Sequence, residues 1–130
     1  MAGELILIVE DNDKNLKLLR DVLGAKGYTT IESITAEEGI ELARQQHPDL
    51  ILMDIELPGI DGITAFKQLR ADPATQSIPI IAVTASVMPT DRRRILGAGF
   101  DGYITKPISV KDFLVEVRSL LDRNSASEGG

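Results

Sequence analysis

Five polar side chains that could together bind a cation and a phosphoryl group each lie within two residues of the end of a short apolar run: Glu10, Asp11, Asp54, Thr84 and Lys106. If the fold brings the three carboxylates together, they repel one another, because two like charges about 4 Å apart cost about 4 kcal/mol at an effective dielectric of ~20. Such a cluster therefore binds protons or a cation.

An oxygen-only ligand set, with neither histidine nor cysteine beside it, is typical of a hard cation such as Mg²⁺ or Mn²⁺. Mg²⁺ keeps several waters and is commonly completed by a phosphate, so a phosphoryl group is a natural further ligand. Lys106 would neutralise that group as a point charge, and the Thr84 hydroxyl could donate to one of its oxygens. A carboxylate in this place can also act as a nucleophile and form an aspartyl phosphate.

Short apolar runs predict five β-strands, and the polar side chains follow four of them. Three of the runs are continuously apolar, as strands buried on both faces of a parallel sheet are. Function in open α/β sheets gathers beyond the carboxyl ends of the strands, so we expect the polar side chains to face one crevice. The predicted strands are Leu5–Val9, Tyr28–Ser33, Leu50–Met53, Ile80–Val83 and Tyr103–Ile104.

Segments with helical spacing separate the predicted strands. Capping-box sequences at Thr35 and Ser109 predict the starts of the second and last helices. Gly27 is placed to end the first helix, and Gly97-Ala98-Gly99 to end the fourth. Alternating strands and helices imply right-handed βαβ units, with helices on both faces of a parallel sheet.

Composition restricts the possible classes of protein. At 14.1 kDa, with 43% hydrophobic and 26% charged residues, the chain predicts one globular domain. The absence of cysteine excludes a disulfide framework, a thiolate metal site and a cysteine nucleophile, and it fits a reducing compartment.

The 14 basic and 20 acidic residues give a net charge of −6, the opposite sign to that of most nucleic-acid-binding domains. No apolar run approaches the roughly 20 residues of a membrane span, and no signal peptide is visible. We therefore expect a cytoplasmic protein with no nucleic-acid or membrane partner. The small polar segment 124–130 predicts a disordered tail behind a domain of residues 1–123.

Over residues 4–123 the sequence resembles a two-component response regulator receiver domain. The family pattern is an acidic pair after the first strand, a phospho-accepting Asp after the third, Thr or Ser after the fourth, and Lys-Pro after the fifth. Here these are Glu10-Asp11, Asp54, Thr84 and Lys106-Pro107. The resemblance implies an α/β fold of the flavodoxin-like (CheY-like) type, a doubly wound five-stranded parallel sheet in order 2-1-3-4-5 with five helices.

Within the family, the chain is most similar to single-domain regulators of the DivK type. That similarity is carried by Val9-Glu10-Asp11-Asn12 and by Lys106-Pro107-Ile108-Ser109. Because the chain starts with Met1 and ends just after the fifth helix, we expect a free-standing protein whose output is a phosphorylation-dependent protein contact. A receiver cut from a hybrid histidine kinase or a longer regulator is the alternative, and a phosphate-independent scaffold is a further one.

The resemblance also implies how the site is used. Asp54 would accept a phosphoryl group from a phosphohistidine of a sensor kinase or phosphotransfer protein, and self-phosphorylation and self-dephosphorylation there would be the only enzymatic activity. Glu10, Asp11 and Asp54 would hold Mg²⁺ (or Mn²⁺), with the backbone carbonyl of Glu56 completing the protein ligands.

Further implied roles concern the response to phosphorylation. Thr84 would move toward the phosphoryl group, and Tyr103 would turn inward behind it. Lys106 would contact the phosphate, and its bond to Pro107 would be a cis peptide. The protein would act as a monomer or a phosphorylation-promoted dimer, through the face of the fourth helix, fifth strand and fifth helix. The candidate contacts on that face are Arg92, Phe100, Tyr103 and Lys111.

Two details depart from the commonest family text. The first acidic position is Glu10 rather than Asp, and Glu56 adds a fourth carboxylate close to the site. In the family, the positions of Glu56 and Ser86 tune the lifetime of the phosphoryl group.

Two enzyme or cofactor classes compete with this interpretation. Asp54-Ile55-Glu56 faintly resembles the Asp-x-Asp motif of phosphatases that use an aspartyl phosphate, but the chain is too short for their usual cap. A flavodoxin would need a phosphate loop rich in Ser, Thr and Gly after the first strand, where Glu10-Asp11-Asn12 would repel a phosphate without a metal.

Overall fold

Five parallel β-strands alternate with five α-helices along the chain, in a computed structural model that describes residues 3–56, 62–85 and 89–129. The strands are β1 Leu5–Val9, β2 Thr29–Ser33, β3 Leu50–Asp54, β4 Ile80–Thr84 and β5 Gly102–Thr105. The helices are α1 Asp13–Ala25, α2 Ala36–Gln46, α3 Gly62–Ala71, α4 Pro89–Ala98 and α5 Val110–Gly129. The strand order is β2-β1-β3-β4-β5, which confirms the predicted topology.

The sheet is buried on both faces, as its continuously apolar strands predict. Every residue of β3 and β4 is buried. Alternate side chains of the central strands point to opposite faces. Leu7 and Ile51 pack in one cluster with α2, α3 and α4, whereas Ile6 and Leu50 pack in another with α1 and α5. Because each fully buried aliphatic side chain contributes roughly 1.5–3 kcal/mol, these two clusters hold the strand ends in place.

Local capping fixes where the helices begin. The side chain of Asn12 accepts a hydrogen bond from the backbone N–H of Asn15 at 3.1 Å, at the start of α1. Thr35 accepts from the N–H of Glu38 at 3.2 Å and caps α2 as the sequence predicts. After α1, Gly27 adopts a positive φ of 90°, which glycine allows without steric cost.

The last helix is longer than the sequence indicates. The predicted domain ends at Arg123, whereas the helical backbone of α5 continues to Gly129. After Leu121 the segment has no large apolar side chain that would pack against the sheet, so nothing in the sequence indicates this extension. The disorder of residues 124–130 stays a prediction. Among the described residues, no helix is both long and apolar enough to cross a membrane.

Hydrogen bonds just beyond the strands position the residues that follow them. The N–H of Glu10 donates to the carbonyl of Ser33 at 3.0 Å, and the N–H of Lys106 donates to the carbonyl of Thr84 at 2.8 Å. Asp54 pairs in register with Val83 on the neighbouring strand. The polar residues after β1, β3, β4 and β5 therefore meet at one edge of the sheet.

Phe100, which follows α4, is part of the hydrophobic core. It is 6% exposed, and its ring stacks on that of Phe66 with centroids 4.2 Å apart. The guanidinium of Arg70 covers the Phe66 ring at 4.8 Å and pairs with Asp101 at 2.6 Å. Phe100 is therefore not exposed to a partner in this arrangement, because its ring is buried against Phe66, and its contact with a partner stays a prediction.

Gly62, at the first position of α3, allows the helix to approach the end of β3 closely. A Cβ at this position would lie 2.8 Å from the carbonyl oxygen of Asp54 and 2.8 Å from the Cα of Ile55. Both are backbone atoms, which cannot rotate away as a side chain can. No sequence pattern marks this glycine, because its role depends on a contact between elements.

We expect Gly62→Ala to destabilise the protein by about 1–3 kcal/mol, since the extra methyl group forces the helix away from the strand. Urea unfolding monitored by circular dichroism measures this free energy. Gly24→Ala is the matched control, because nothing lies within 4 Å of the added Cβ on α1. That change should be neutral or stabilise by up to about 1 kcal/mol. Equal free energies for the Gly62 variant and the wild type would contradict the close-approach argument.

Candidate functional site

The five residues singled out in the sequence lie together at the carboxyl edge of the sheet. Three of them have side chains removed from solvent, with exposures of 1% for Glu10, 2% for Asp54 and 1% for Thr84. Asp11 is exposed and Lys106 is half-buried. The site is therefore a shallow crevice with an acidic floor and one cation at its side.

The three carboxylates that were predicted to hold a cation are close enough to do so. Glu10, Asp11 and Asp54 each offer a carboxylate oxygen, and these oxygens lie within 4.8 Å of one another. One oxygen of Glu10, Oε1, is buried and lies 3.1 Å from Nζ of Lys106, in an ion pair that lacks hydrogen-bonding geometry. A hard cation is a suitable further partner for this buried oxygen.

Lys106 pairs with two of these carboxylates. Its Nζ lies 3.0 Å from Asp54 Oδ2 and 3.1 Å from Glu10 Oε1. Burial by itself lowers the pKa of Lys106, but the hydrogen bonds and negative charges of Asp54 and Glu10 outweigh burial and raise that pKa above its ordinary value. The lysine is therefore fully charged at neutral pH.

Glu10 binds a proton far more tightly than an exposed glutamate. Burial first, and then the adjacent carboxylate of Asp54, raise its pKa from 4.5 to about 7. The hydrogen bonds from Asn12 and Lys106 oppose this rise without cancelling it. In the absence of a cation, one carboxylate of the cluster is therefore partly protonated at neutral pH.

Asp54 is held in place through both carboxylate oxygens. Oδ1 accepts a hydrogen bond from the backbone N–H of Glu56 at 2.9 Å, and Oδ2 accepts from Lys106 at 3.0 Å. These two donors fix the orientation of the carboxylate at the end of a fully buried strand. A carboxylate oriented in this way can ligate a metal or attack a phosphorus atom.

The side chain of Glu56 has a contact that the sequence analysis missed. Its Oε1 accepts one hydrogen bond from the Thr84 hydroxyl and another from the backbone N–H of Ala85, both at 2.7 Å. The sequence signal was present, since Glu56 follows Asp54 by two residues. The direction of its side chain toward β4, however, depends on the turn after β3.

The remaining predicted features are placed as follows. The peptide bond between Lys106 and Pro107 is cis, which confirms that prediction. The role of the Glu56 carbonyl as a metal ligand stays a prediction, and Ser86 lies outside the described residues.

The predicted partner face is built partly as expected. Tyr103 is half-buried on β5, and the guanidinium of Arg92 lies 5.8 Å from the centre of its ring. Arg92 and Lys111 are exposed. Three of the four candidate contacts are thus at or near the surface, and only Phe100 is not.

Comparison with known proteins agrees with the fold. Residues 6–118 match the response regulator receiver domain. The chain belongs to this family. The receiver is 48% identical over 116 residues to the polar-differentiation response regulator DivK of Brucella ovis, and the match covers 89% of the receiver and 94% of that protein. It is thus a DivK-like response regulator of two-component signalling.

Solved structures with the same fold include a receiver from another kind of protein. The receiver domain of the sensor histidine kinase PA1611 from Pseudomonas aeruginosa PAO1, solved with a magnesium ion coordinated in the active-site cleft, superposes with a TM-score of 0.86 at 33% identity. That match covers 93% of this receiver and 99% of the other chain. A CheY-like receiver domain protein from Methanospirillum hungatei JF-1 superposes with a TM-score of 0.88 at 28% identity, over 97% and 99% of the two chains.

Proposed function

We propose that this receiver is a phosphorylation-dependent switch of a phosphorelay, in which Asp54 accepts a phosphoryl group from a phosphohistidine of a sensor kinase or phosphotransfer protein. The observation that carries the proposal is the meeting of Asp54 with Lys106 and two further carboxylates at one crevice, with Lys106 3.0 Å from Asp54. Signalling of this kind takes place in the cytoplasm, where kinase and receiver meet.

Mg²⁺ fits the residues present. The side chains of Glu10, Asp11 and Asp54 would hold it, together with the carbonyl of Glu56, and the ion would add to the positive charge that Lys106 places beside the buried Glu10 Oε1. When bound, the ion supplies positive charge that offsets repulsion between the carboxylates and the incoming phosphoryl oxygens. The magnesium in the cleft of the PA1611 receiver supports this assignment.

The transfer itself needs one nucleophile and no general base. An Asp54 carboxylate oxygen attacks phosphorus, the new O–P bond forms as the P–N bond to the donor histidine breaks, and the imidazole nitrogen keeps the electron pair. Lys106 stays protonated and offsets the charge of the phosphoryl oxygens. Hydrolysis of the same acyl phosphate returns Asp54 to its starting state.

The change is then read by a partner. We propose that the Thr84 hydroxyl donates a hydrogen bond to the phosphoryl group and that the Tyr103 side chain turns inward behind Thr84. The surface of α4, β5 and α5, with Arg92 and Lys111 exposed, would then present a different shape and charge to a protein partner. The 48% identity to the response regulator DivK supports a regulatory role of this kind.

The direct test is labelling by acetyl phosphate, a small-molecule phosphoryl donor. Wild-type protein with Mg²⁺ should gain about 80 Da in intact mass, in an adduct that survives acid and is lost in base, as an acyl phosphate should be. Excess EDTA should prevent the gain. Borohydride reduction followed by peptide mapping should place the adduct at position 54. An adduct elsewhere, or none with either acetyl phosphate or a beryllofluoride–Mg²⁺ mimic, would contradict the proposal.

Mg²⁺ should stabilise the wild type more than Asp54→Asn. At ten times its dissociation constant, a ligand of the native state adds about 1.4 kcal/mol, which corresponds to roughly 4–7 °C in melting temperature for a domain of this size. The amide ligates Mg²⁺ weakly, so the variant should shift by less than half as much. Without metal, the variant should melt higher than the wild type, because one repelling carboxylate is gone. Equal Mg²⁺ shifts in the two proteins would argue against a site centred on Asp54.

A further inference from the structure

We infer that Glu56 is a positioning residue whose carboxylate occupies, in the unphosphorylated receiver, the two hydrogen-bond donors at the end of β4 that would otherwise bind the phosphoryl group. This inference rests on the proposed phosphorylation of Asp54. It gives Glu56 a side-chain role in competition with the phosphoryl group, separate from any role of its carbonyl at the metal.

The geometry of the contact is that of an occupied anion site. A single oxygen, Glu56 Oε1, accepts from both the Thr84 hydroxyl and the Ala85 N–H at 2.7 Å. Each donor carries one proton, so it can serve one strong acceptor at a time. Hydrogen bonds to a charged acceptor are about twice as strong as neutral ones. The carboxylate therefore competes for these protons with any other anion nearby.

The same donors lie beside the proposed phospho-acceptor. Asp54 pairs in register with Val83, and the N–H of Ile55 donates to the carbonyl of Val83 at 2.9 Å. The two residues that follow Val83 in the sequence, Thr84 and Ala85, supply the two donors. Glu56 also lies beside Asp54, because its own N–H donates a hydrogen bond to Asp54 Oδ1 at 2.9 Å. A phosphoryl group on Asp54 would thus meet the Glu56 carboxylate at shared donors.

Two anions cannot use these donors together, so phosphorylation must displace the Glu56 side chain. The residue is exposed, and its carboxylate can move into water without a large loss of solvation. Displacement is therefore reversible, and its cost lowers the affinity of the site for phosphoryl groups. Release of Thr84 from Glu56 becomes part of the switch.

The contact can be tested first without metal or phosphate. In EDTA, Glu56→Ala should move the amide proton resonance of Ala85 upfield by about 0.5 ppm or more, because the amide loses a hydrogen bond to a charged acceptor. Glu37→Ala removes an exposed carboxylate at the same edge of the sheet and should leave that resonance unchanged. An unchanged Ala85 resonance in Glu56→Ala would overturn the inference whatever the site binds.

Competition is tested by the affinity for beryllofluoride with Mg²⁺, measured by isothermal titration calorimetry. Glu56→Ala should bind the mimic at least tenfold more tightly than the wild type, as expected when a charge-assisted hydrogen-bond competitor is removed. Glu56→Gln keeps a neutral acceptor oxygen and should give a smaller gain. Glu37→Ala should stay within about twofold of the wild type, which measures the general effect of one fewer negative charge.

A double substitution separates competition from simple charge repulsion. In a Thr84→Ala background only the Ala85 N–H remains shared, so the gain from Glu56→Ala should fall to less than half on a logarithmic scale. An undiminished gain would show that Glu56 acts by charge alone, and the inference would be wrong.

Failure of this inference is distinguishable from failure of the proposed function. If the wild type and Glu56→Ala bind the mimic with equal affinity, Glu56 does not compete with the phosphoryl group, and the proposed phosphorylation of Asp54 is unaffected. If neither protein binds the mimic or gains phosphoryl mass, the proposed function falls, and the competition falls with it.

Discussion

Asp54→Asn should abolish labelling by acetyl phosphate, with a rate at least a thousandfold below that of the wild type. The amide is nearly isosteric with the carboxylate and can still accept the hydrogen bond that the Glu56 N–H gives to Oδ1. It lacks the negative oxygen that attacks phosphorus, so the nucleophile is lost while the surrounding structure is kept. Intact mass after timed incubation with Mg²⁺ and acetyl phosphate gives the rate.

The control for this substitution is Asp21→Asn. Asp21 is an exposed residue of α1, paired with Lys17 in an i,i+4 arrangement at 3.1 Å. The Asp21→Asn protein should be labelled at the wild-type rate. Circular dichroism of both variants checks that the fold is intact. Labelling of Asp54→Asn at a rate near that of the wild type would show that the phosphoryl group goes elsewhere.

The stability of the metal-free protein should fall as the pH rises from about 4.5 to 7, because of Glu10. Its pKa is about 7 in the folded protein and 4.5 in its ordinary state, so the folded protein binds this proton more tightly than the unfolded chain. Below pH 4.5 Glu10 is protonated in both the folded and the unfolded states, so its ionisation does not lower the free energy of unfolding. Above 7 both are ionised, and the folded state carries the full cost, which corresponds to roughly 3 kcal/mol.

Glu10→Gln removes this dependence, and the difference between the two proteins isolates it from other titrating groups. In EDTA, the unfolding free energy of the variant minus that of the wild type should grow by roughly 2–3 kcal/mol between pH 5 and pH 8. Urea unfolding at several pH values measures it. Saturating Mg²⁺ should reduce the wild-type dependence, since a cation stabilises the ionised carboxylate. A difference that stays constant with pH would mean that Glu10 titrates normally.

Much of the fold follows from the pattern of apolar residues. The strands of the structure agree with the predicted ones to within a residue or two, because continuous apolar runs bounded by polar residues leave few alternatives. The end of α5 was not predicted, since a short polar sequence carries no strong stop signal. The burial of Phe100 was not predicted, because it depends on a stacking contact with Phe66 on α3.

The amino-acid pattern alone was enough to predict which residues meet. In a parallel sheet all carboxyl ends lie at one edge, so polar residues that follow separate strands converge whatever the details of packing. This is why Asp54 and Lys106, far apart in the chain, could be assigned to one crevice before any distance was known.

How these residues interact depends on the packing of the folded chain. The proton affinity of Glu10 depends on burial, and the capture of Thr84 by Glu56 depends on side-chain directions across a sequence separation of 28 residues. The close approach of Gly62 to the end of β3 depends on helix placement to within a few tenths of an ångström. Such quantities arise from the packing of distant segments against each other, and no local pattern of residue types encodes them.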